Sequence, residues 1–343
     1  MVDTTKDSSE EQDMKCKLLD EFRCFTFSQA YYGAFSILRK GIKNGSLNTS
    51  KGTCHHNTLC DILNLPQLPS PARIMEFGGG TGTQLETICR RMEAFQKQAI
   101  VSVEEPYEEY LKQYVTTIES LSNACLDIVY SGPIQDYYGR SVEDLRAMKA
   151  YPERLQDRVL ALHVLYHAIN IFDQDMDPQK NLKQAASAMY TILKPGGEMV
   201  IHMAGHDEVL IGAVSLKCLE SLFPNTKENF KIKYEVFRKQ LFEGGFVEVL
   251  NTSFPMFTAK MHCEEVTYLN VLSTIEEVGA SASVPCLHGL WADQSPFDVR
   301  VLQFCIDYAK SEGYKHGLYR DSKGMWCFPI KEYYITIKKV ERE

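Results

Sequence analysis

The 343-residue chain has the composition of a folded protein without membrane-spanning segments. Hydrophobic residues make up 44% and charged residues 24% of it, and no apolar run approaches the roughly 20 residues that a spanning helix needs. The formal net charge of −8 argues against a nucleic-acid partner, because phosphate binding needs a basic surface. We therefore expect a soluble protein that binds neither nucleic acid nor membrane.

The first residues and the cysteines indicate a cell compartment. Residues 1–14 are polar and acidic, with neither the apolar stretch of a secretion signal nor the Arg-rich character of a transit peptide, and they predict a disordered tail. The 11 cysteines form no CxxC pair and are odd in number. This pattern favours reduced thiols in a cytoplasmic protein.

Between about residues 72 and 252, short apolar runs alternate with helical patterns, which predicts a parallel sheet covered by helices. Arg73 to Phe77 is the first predicted strand, and a helix follows it over Thr83 to Phe95. The later predicted elements are a strand at 99–103, a helix at 107–121, a strand at 126–130, a charged linker at 139–158, a strand at 158–166, a helix at 181–193, a turn at 195–197, a strand at 198–203, a helix at 231–242 and a strand at 246–250.

The two flanks of this region have different patterns. Residues 15–43 are mostly helical and rich in aromatic residues. Residues 263–330 mix helical patterns with irregular loops before a last strand at 333–340. Either flank could cover a binding site as a lid.

The segment RIMEFGGGTGTQL places four glycines among residues 78–82, directly after the first strand. A strand, a glycine turn and a helix together expose backbone N–H groups and the positive end of a helix dipole, which suits a bound cofactor. The dinucleotide fingerprint GxGxxG is not completed, because Thr83 stands where its last glycine belongs. Glu76 lies two residues before the first glycine, where its carboxylate could accept hydrogen bonds from an ammonium group.

The second strand ends in VEEP, residues 103–106. Glu104 and Glu105 stand where such sheets hold the two hydroxyls of a ribose with a carboxylate. The alternative is that these acids only cap the next helix. The segment LKPGGEMVI, at the distance of a fifth strand, favours the cofactor interpretation.

With EFGGGTG as its glycine motif, VEEP as its acidic motif and LKPGGEMVI as its strand-five motif, the chain resembles class I S-adenosylmethionine-dependent methyltransferases over roughly residues 72–250. The resemblance implies an α/β fold with a doubly wound, mostly parallel seven-stranded sheet and a small auxiliary region that covers the substrate. It implies a methyltransferase domain at 15–260 with an N-terminal helical lid, and an auxiliary substrate region at 261–343 that returns a final strand to the sheet. The implied cofactor is S-adenosyl-L-methionine.

Within that superfamily, FGGGTG, VEEP, LHVLYHAIN, the aromatic segment EFRCFTFSQAYY and the strand YYITIKK together resemble the histamine N-methyltransferase family. Tyr110 then stands where the family has a glutamine, Gln135 where it has a serine near the adenine, and Leu162 where it has an isoleucine. The cofactor-binding residues implied by both resemblances are Glu76, Gly78, Gly80, Gly82, Thr83, Glu105, Tyr110, Gln135 and Leu162.

Two residues that fix the substrate amine in this family are not matched. Tyr31 stands in place of a glutamate, and approximately Ile330 in place of an asparagine. Losing a buried carboxylate that pairs with an ammonium group costs about 2 to 5 kcal/mol of binding, which is enough to change the preferred substrate.

The candidate catalytic residues follow the fourth strand, where such folds place substrate contacts. A histidine has an unperturbed pKa near 6.5 and can take a proton from an acceptor that needs a base. We name His163, His167 and Tyr166 as catalytic candidates, and Tyr31, Tyr32, His163, Tyr166, His202 and His206 as substrate-binding candidates. The alternative role for each histidine is that of a hydrogen-bonded structural residue. The alternative role for the tyrosines is packing in the core.

We predict no metal, because adjacent histidines such as His55 and His56 point apart and cannot easily share an ion. The predicted reaction is methyl transfer to a small molecule, at an amine or imidazole nitrogen. The alternatives are an O- or carboxyl-methyltransferase, a binding protein for S-adenosylmethionine without turnover, and, with least support, a nicotinamide dehydrogenase. We expect a monomer and keep a homodimer open.

Overall fold

The computed structural model of the protein describes residues 17–48, 55–132, 154–165, 178–205, 209–224, 236, 238–289 and 296–342. Its helices are α1 (Phe27–Asn48), α2 (His55–Ile62), α3 (Thr83–Ala94), α4 (Glu108–Glu119), α5 (Pro178–Thr191), α6 (Leu210–Leu222), α7 (Gly245–Ser253), α8 (Ile275–Gly289) and α9 (Val299–Glu312). Its strands are β1 (Ala72–Phe77), β2 (Ala99–Glu104), β3 (Ala124–Tyr130), β4 (Gln156–Leu162), β5 (Leu193–Ala204), β6 (Phe257–Leu272), β7 (Tyr319–Arg320) and β8 (Trp326–Glu341). Short helical turns occupy Leu65–Gln67, Arg238–Phe242 and Gly313–His316.

The strands form one sheet in the order β3-β2-β1-β4-β5-β8-β6, with β7 paired to β8 as an eighth strand. The pairings of β1 with β2, β1 with β4, β2 with β3, and β4 with β5 are all parallel. The chain runs outward from β1 to β3 and then returns to place β4 on the other side of β1. The strand order therefore reverses at β1, and the predicted doubly wound, mostly parallel α/β sheet is confirmed, although it has eight strands and not the predicted seven.

The chain divides into two compact units. One comprises Met1–His55, Ala204–Lys231 and Val266–Glu332, and the other His56–Met203, Ile232–Glu265 and Tyr333–Glu343. Each has its own apolar core: the first is built around residues such as Phe22, Leu210, Val278 and Phe328, the second around Met75, Phe77, Val159, Tyr190 and Phe246. The predicted domain boundaries stay predictions, and the predicted tail at 1–14 lies outside the described residues.

The early elements agree with the sequence patterns to within one or two residues at their ends. The exceptions have physical causes. The predicted strand at 246–250 is wrong, because these residues form α7, which begins after Gly244 with a φ of 87°. Phe246 and Leu250 are fully buried at a helical spacing of four, so core packing outweighs the strand preference of this short run.

Other predicted element boundaries also differ from those in the structure. Residues 263–272, predicted as helix and loop, continue the strand β6, and the last strand begins at Trp326. The predicted linker ends earlier, since β4 begins at Gln156. The turn predicted around Pro195 lies inside β5 as a register shift, where Gln156 pairs with Leu193 but Arg158 pairs with Glu198. None of the described helices combines the length and hydrophobicity that spanning a bilayer requires.

A buried lysine ties β8 to the end of α5 in the second unit. Lys339 is 3% exposed, and its ammonium donates to the carbonyls of Tyr190 at 3.0 Å and Leu193 at 2.8 Å. The same nitrogen lies 5.0 Å from the ring centre of Tyr190, 4.6 Å from that of Phe257 and 5.9 Å from that of Phe254. It therefore supplies a donor to the Tyr190 carbonyl, which lies in the last turn of α5 where carbonyls lack a partner within the helix, and to the Leu193 carbonyl at the start of β5.

We expect Lys339→Met to lower the free energy of unfolding by about 2 kcal/mol, because two buried carbonyls lose their donor. Lys338→Met is the matched control, since Lys338 is exposed next to it, and its effect should stay within about 0.5 kcal/mol. Urea denaturation followed by circular dichroism measures both. Equal effects of the two variants would contradict a stabilising role of the buried ammonium.

Candidate functional site

The candidate site lies in the second unit, at the edge of the sheet where the parallel strands end. Phe77, the last residue of β1, pairs with Glu104 at the end of β2 and with Ala161 near the end of β4. Leu162 pairs in turn with His202 on β5. The register therefore brings the residues after β1, β2 and β4 to one edge, at the reversal of strand order where ligands of such sheets bind.

The glycine turn is shaped by three glycines with positive φ: Gly78 at 63°, Gly80 at 56° and Gly82 at 80°. A Cβ at Gly78 would approach Val164 to 2.4 Å, and one at Gly79 would approach Val103 to 2.5 Å, so the protein itself fills the space beside both. A Cβ at Gly80 would meet nothing within 4 Å. Gly80 is thus the glycine that leaves the backbone open to a guest molecule.

Hydrogen bonds from the glycine turn hold two adjacent acids. The Gly78 N–H donates to Glu104 Oε2 at 3.0 Å, and the Gly80 N–H donates to Glu105 Oε2 at 2.7 Å. Glu105 Oε1 also accepts from the Tyr107 N–H at 3.0 Å, whereas the buried Glu104 Oε1 has no hydrogen-bond partner among the described residues. The acids therefore do more than cap α4, because they connect the end of β2 to the turn after β1.

Glu76 lies on β1 before the turn and is 2% exposed. It accepts a hydrogen bond from the Tyr114 hydroxyl of α4 at 2.9 Å. The sequence did not identify Tyr114 as a site residue. Its spacing from Leu111 and Ile118 predicts a buried position on α4, but carries no signal that its hydroxyl meets a carboxyl group.

Burial dominates the protonation of these carboxyl groups. Desolvation raises the pKa of Glu76 to about 8, despite the opposing hydrogen bond from Tyr114. Desolvation also raises the pKa of Glu104 to about 8, against the hydrogen bond from Gly78, and raises that of Glu105. The charge of Glu105 adds to the rise at both other acids.

His163 follows β4 with an unusual backbone. Its φ is 55°, a left-handed conformation that is uncommon for residues other than glycine and that concentrates at functional sites. Its N–H donates to the carbonyl of His202 at 2.8 Å, and the two rings lie 4.0 Å apart between centres. His202 is fully buried and stacks on Tyr334 at 4.2 Å. His202 is thus placed to position His163 rather than to present its own ring at a surface.

The remaining predicted residues fall into three groups. Thr83 begins α3 and is exposed, Tyr110 is half-buried in the first turn of α4, and Leu162 is the buried last residue of β4. Tyr31 and Tyr32 lie in the first unit, where Tyr31 is buried in the core and stacks on Phe35 at 6.0 Å. The predicted residues that lie outside the described part of the chain are Gln135, Tyr166, His167 and His206.

The packing of Tyr31 favours the core interpretation of that residue. The absence of a metal stays a prediction, and the side chains of His55 and His56 are not among those described.

Comparison with known proteins adds similarities of fold. No protein-family model and no curated protein matches the chain. A SAM-dependent methyltransferase from Geobacter sulfurreducens in complex with S-adenosyl-L-homocysteine aligns with a TM-score of 0.39 and 12% identity, over 84% of this chain and 90% of that chain. A SAM-dependent methyltransferase from Archaeoglobus fulgidus gives 0.36 and 14% identity, over 82% of this chain and 94% of that one.

The [4+2]-cyclase SpnF gives a TM-score of 0.41 and 14% identity, over 93% of this chain and 98% of that chain. At such scores and identities, these similarities carry no argument about what this chain binds or catalyses. The geometry and charge of the site itself therefore indicate the function.

The buried Glu76 makes stability depend on pH in a defined direction. Its pKa rises from 4.5 to about 8 in the folded protein, so its contribution to stability is fully present below about pH 4.5 and is lost as the pH rises through 8. We expect the melting temperature of the protein to fall between pH 5 and pH 8, and Glu76→Gln to flatten this fall. Glu119→Gln, an exposed change of the same kind, should follow the wild-type curve. Parallel curves for wild type and Glu76→Gln in thermal scans would contradict this account.

Proposed function

We propose that this protein transfers a methyl group from S-adenosyl-L-methionine to a small molecule. The observation that carries the proposal is the open backbone at Gly80, beside the buried acids Glu104 and Glu105, at the edge of β1 where the strand order reverses. Such an edge binds ligands in open α/β sheets, and the missing Cβ leaves room for close approach.

The residues at this edge fit S-adenosyl-L-methionine better than a dinucleotide. Three buried carboxyl groups surround the turn, and among the described residues none of them forms an ion pair with lysine, arginine or histidine. Such a site favours a guest with positive charge and opposes a pyrophosphate. Together with the incomplete GxGxxG pattern, this weakens the dehydrogenase alternative.

In this proposal the cofactor, when bound, supplies an activated methyl group on a sulfonium. The protein binds the cofactor and the acceptor, aligns them with each other and excludes water from the site. Glu105 and the backbone at Gly80 would hold it. His163 would receive a proton from the acceptor if the acceptor must lose one, with its main chain fixed by the carbonyl of His202. The enclosed ring of His202 would keep the His163 ring in place.

We further propose, from the resemblance to the histamine N-methyltransferase family, that the acceptor atom is an amine or imidazole nitrogen. His163 stands where that family lines its substrate pocket, and its imidazole can serve a nitrogen acceptor that carries a proton. A cytoplasmic location belongs to the same proposal and agrees with the described cysteines, none of which forms a disulfide with another described cysteine.

We expect Gly80→Arg to abolish binding of S-adenosyl-L-homocysteine, because the new side chain fills the open approach. Gly196→Arg is a matched control, since Gly196 also has a positive φ of 79° and no atom within 4 Å of a Cβ, but it lies near the start of β5. Isothermal titration calorimetry measures affinity, and circular dichroism checks that both variants fold. Retained binding in a folded Gly80→Arg protein would refute this placement of the cofactor.

The acceptor can be identified by mass spectrometry after incubation with S-adenosyl-L-methionine and a pool of histamine, histidine derivatives, arylalkylamines, phenols and small carboxylic acids. We expect methylation at nitrogen. His163→Asn keeps a residue that tolerates the left-handed backbone but removes the imidazole, and should lower kcat about 100-fold. His262→Asn, at an exposed position on β6, should leave kcat unchanged.

The other outcomes discriminate the alternatives. Methylation only at oxygen would favour the O- or carboxyl-methyltransferase. Tight cofactor binding without a product from any compound in the pool would favour a binding protein. Preference for NADH over S-adenosyl-L-homocysteine would favour the dehydrogenase.

A further inference from the structure

Three carboxyl groups lie buried around the glycine turn with only neutral donors as partners. Glu76, Glu104 and Glu105 are 2%, 0% and 4% exposed. Their hydrogen bonds come from the Tyr114 hydroxyl and from the backbone N–H groups of Gly78, Gly80 and Tyr107. Burying a carboxylate without a cation is costly, so this arrangement resists full ionisation.

The elements packed around these acids bring no positive charge to them in the described part of the chain. α3 contributes the thiol of Cys89, α4 the phenols of Tyr110 and Tyr114, and β3 the phenol of Tyr130, which pairs with Glu104. Burial raises the pKa of Cys89, Tyr110 and Tyr114, so these three groups are neutral near pH 7. The titratable group at the end of β4 is His163, whose ring packs on His202.

Glu104 differs from its neighbour in one respect that points to a ligand. Glu105 accepts an N–H on each oxygen, but Glu104 accepts one only on Oε2, and its buried Oε1 has no partner in the part of the chain that the structure describes. A buried polar atom without a partner costs free energy unless something else meets it. The Gly78 hydrogen bond holds this carboxyl group at the turn whose Gly80 side is open.

We propose that this carboxyl cluster makes the site select a cationic guest over its neutral counterpart, and that binding the cation expels a proton from Glu104 into solvent. The inference rests on the proposed function, in which the cation is the sulfonium of S-adenosyl-L-methionine and the neutral counterpart is the thioether of S-adenosyl-L-homocysteine. The site would then favour the substrate cofactor over the product.

The charge balance fixes the sign of the pH dependence. The empty site holds Glu104 as a carboxylic acid at neutral pH, and the guest's positive charge stabilises the carboxylate, so one O–H bond breaks and the proton passes to the buffer. Burial raises the pKa of Glu104 to about 8 in the empty protein. Because a higher pH removes this proton beforehand, the preference for the sulfonium over the thioether should increase as the pH rises toward 8.

Isothermal titration calorimetry of the full chain in two buffers of different ionisation enthalpy counts the released protons. At pH 7.0, S-adenosyl-L-methionine should release about half a proton more from wild type than from Glu104→Gln. S-adenosyl-L-homocysteine should show no such difference between the two proteins. Sinefungin, which carries an amine in place of the sulfonium, should behave like the cationic cofactor and exclude an effect of the methyl group itself.

Glu108→Gln is the surface control, because it makes the same replacement of a carboxyl group by an amide in the first turn of α4, where the side chain is exposed. It should release as many protons as wild type. If Glu104→Gln does not fold, the pH dependence of the two dissociation constants of the wild-type protein tests the inference. The ratio of the Kd of S-adenosyl-L-homocysteine to that of S-adenosyl-L-methionine should rise about sixfold between pH 6.5 and 8.5 if the cation lowers the pKa of Glu104 by one unit from about 8.

Equal proton release with both ligands, or a ratio that stays flat or falls with pH, would overturn the inference while leaving the proposed cofactor in place. Failure of both ligands to bind would instead refute the proposed function. The two failures are therefore distinguishable in the same experiment.

Discussion

The hydrogen bonds from Gly78 and Gly80 to Glu104 and Glu105 are the interaction on which the candidate site depends. They join the turn after β1 to the end of β2, so the residues that follow these two strands form one continuous side of the candidate site. Parallel pairing of β1 with β2 and β4 alone would bring these residues to the same edge, but not fix the conformation of the turn. The positive φ of Gly80 is needed both for this bond and for an open side.

Burying three acids here opposes stability, because each is held partly by dipoles and by no described cation. Natural proteins tolerate such costs mainly where function needs them, and strongly perturbed carboxyl groups in a cleft are a sign of a site. The left-handed backbone of His163, on the other side of β1, is a second local cost at the same edge. Two independent departures from low-energy structure thus occur where the strand order reverses.

Sequence patterns predicted β1 to β5 and their helices because apolar runs there alternate with helical patterns, although the predicted fourth strand extended to residue 166, beyond the end of β4 at Leu162. They failed at 246–250, where a five-residue apolar run fits both a strand and a buried helix and only packing of Phe246 and Leu250 decides. From motif spacing they predicted that the glycines after β1 and the acids at the end of β2 lie together, as the structure shows. They could not predict the hydrogen bond between Tyr114 and Glu76, because a partner distant in sequence leaves no local signal. They could not predict that Glu104 Oε1 lacks a partner among the described residues, because that depends on packing and not on a motif.

Burial of the carboxyl groups has opposite consequences for their ionisation in the ligand-free protein and in the proposed complex with a cation. In the empty protein, desolvation favours the protonated acids and makes a rise in pH unfavourable to folding. A cationic guest reverses this balance, because its charge stabilises the carboxylates that the protein alone cannot. Under the proposed function, a carboxyl group whose partner is the ligand would therefore be stabilised most by the cationic cofactor, and the neutral product would recover only part of that stabilisation. The preference for a cationic ligand would then follow from the fact that no described lysine, arginine or histidine pairs with these acids.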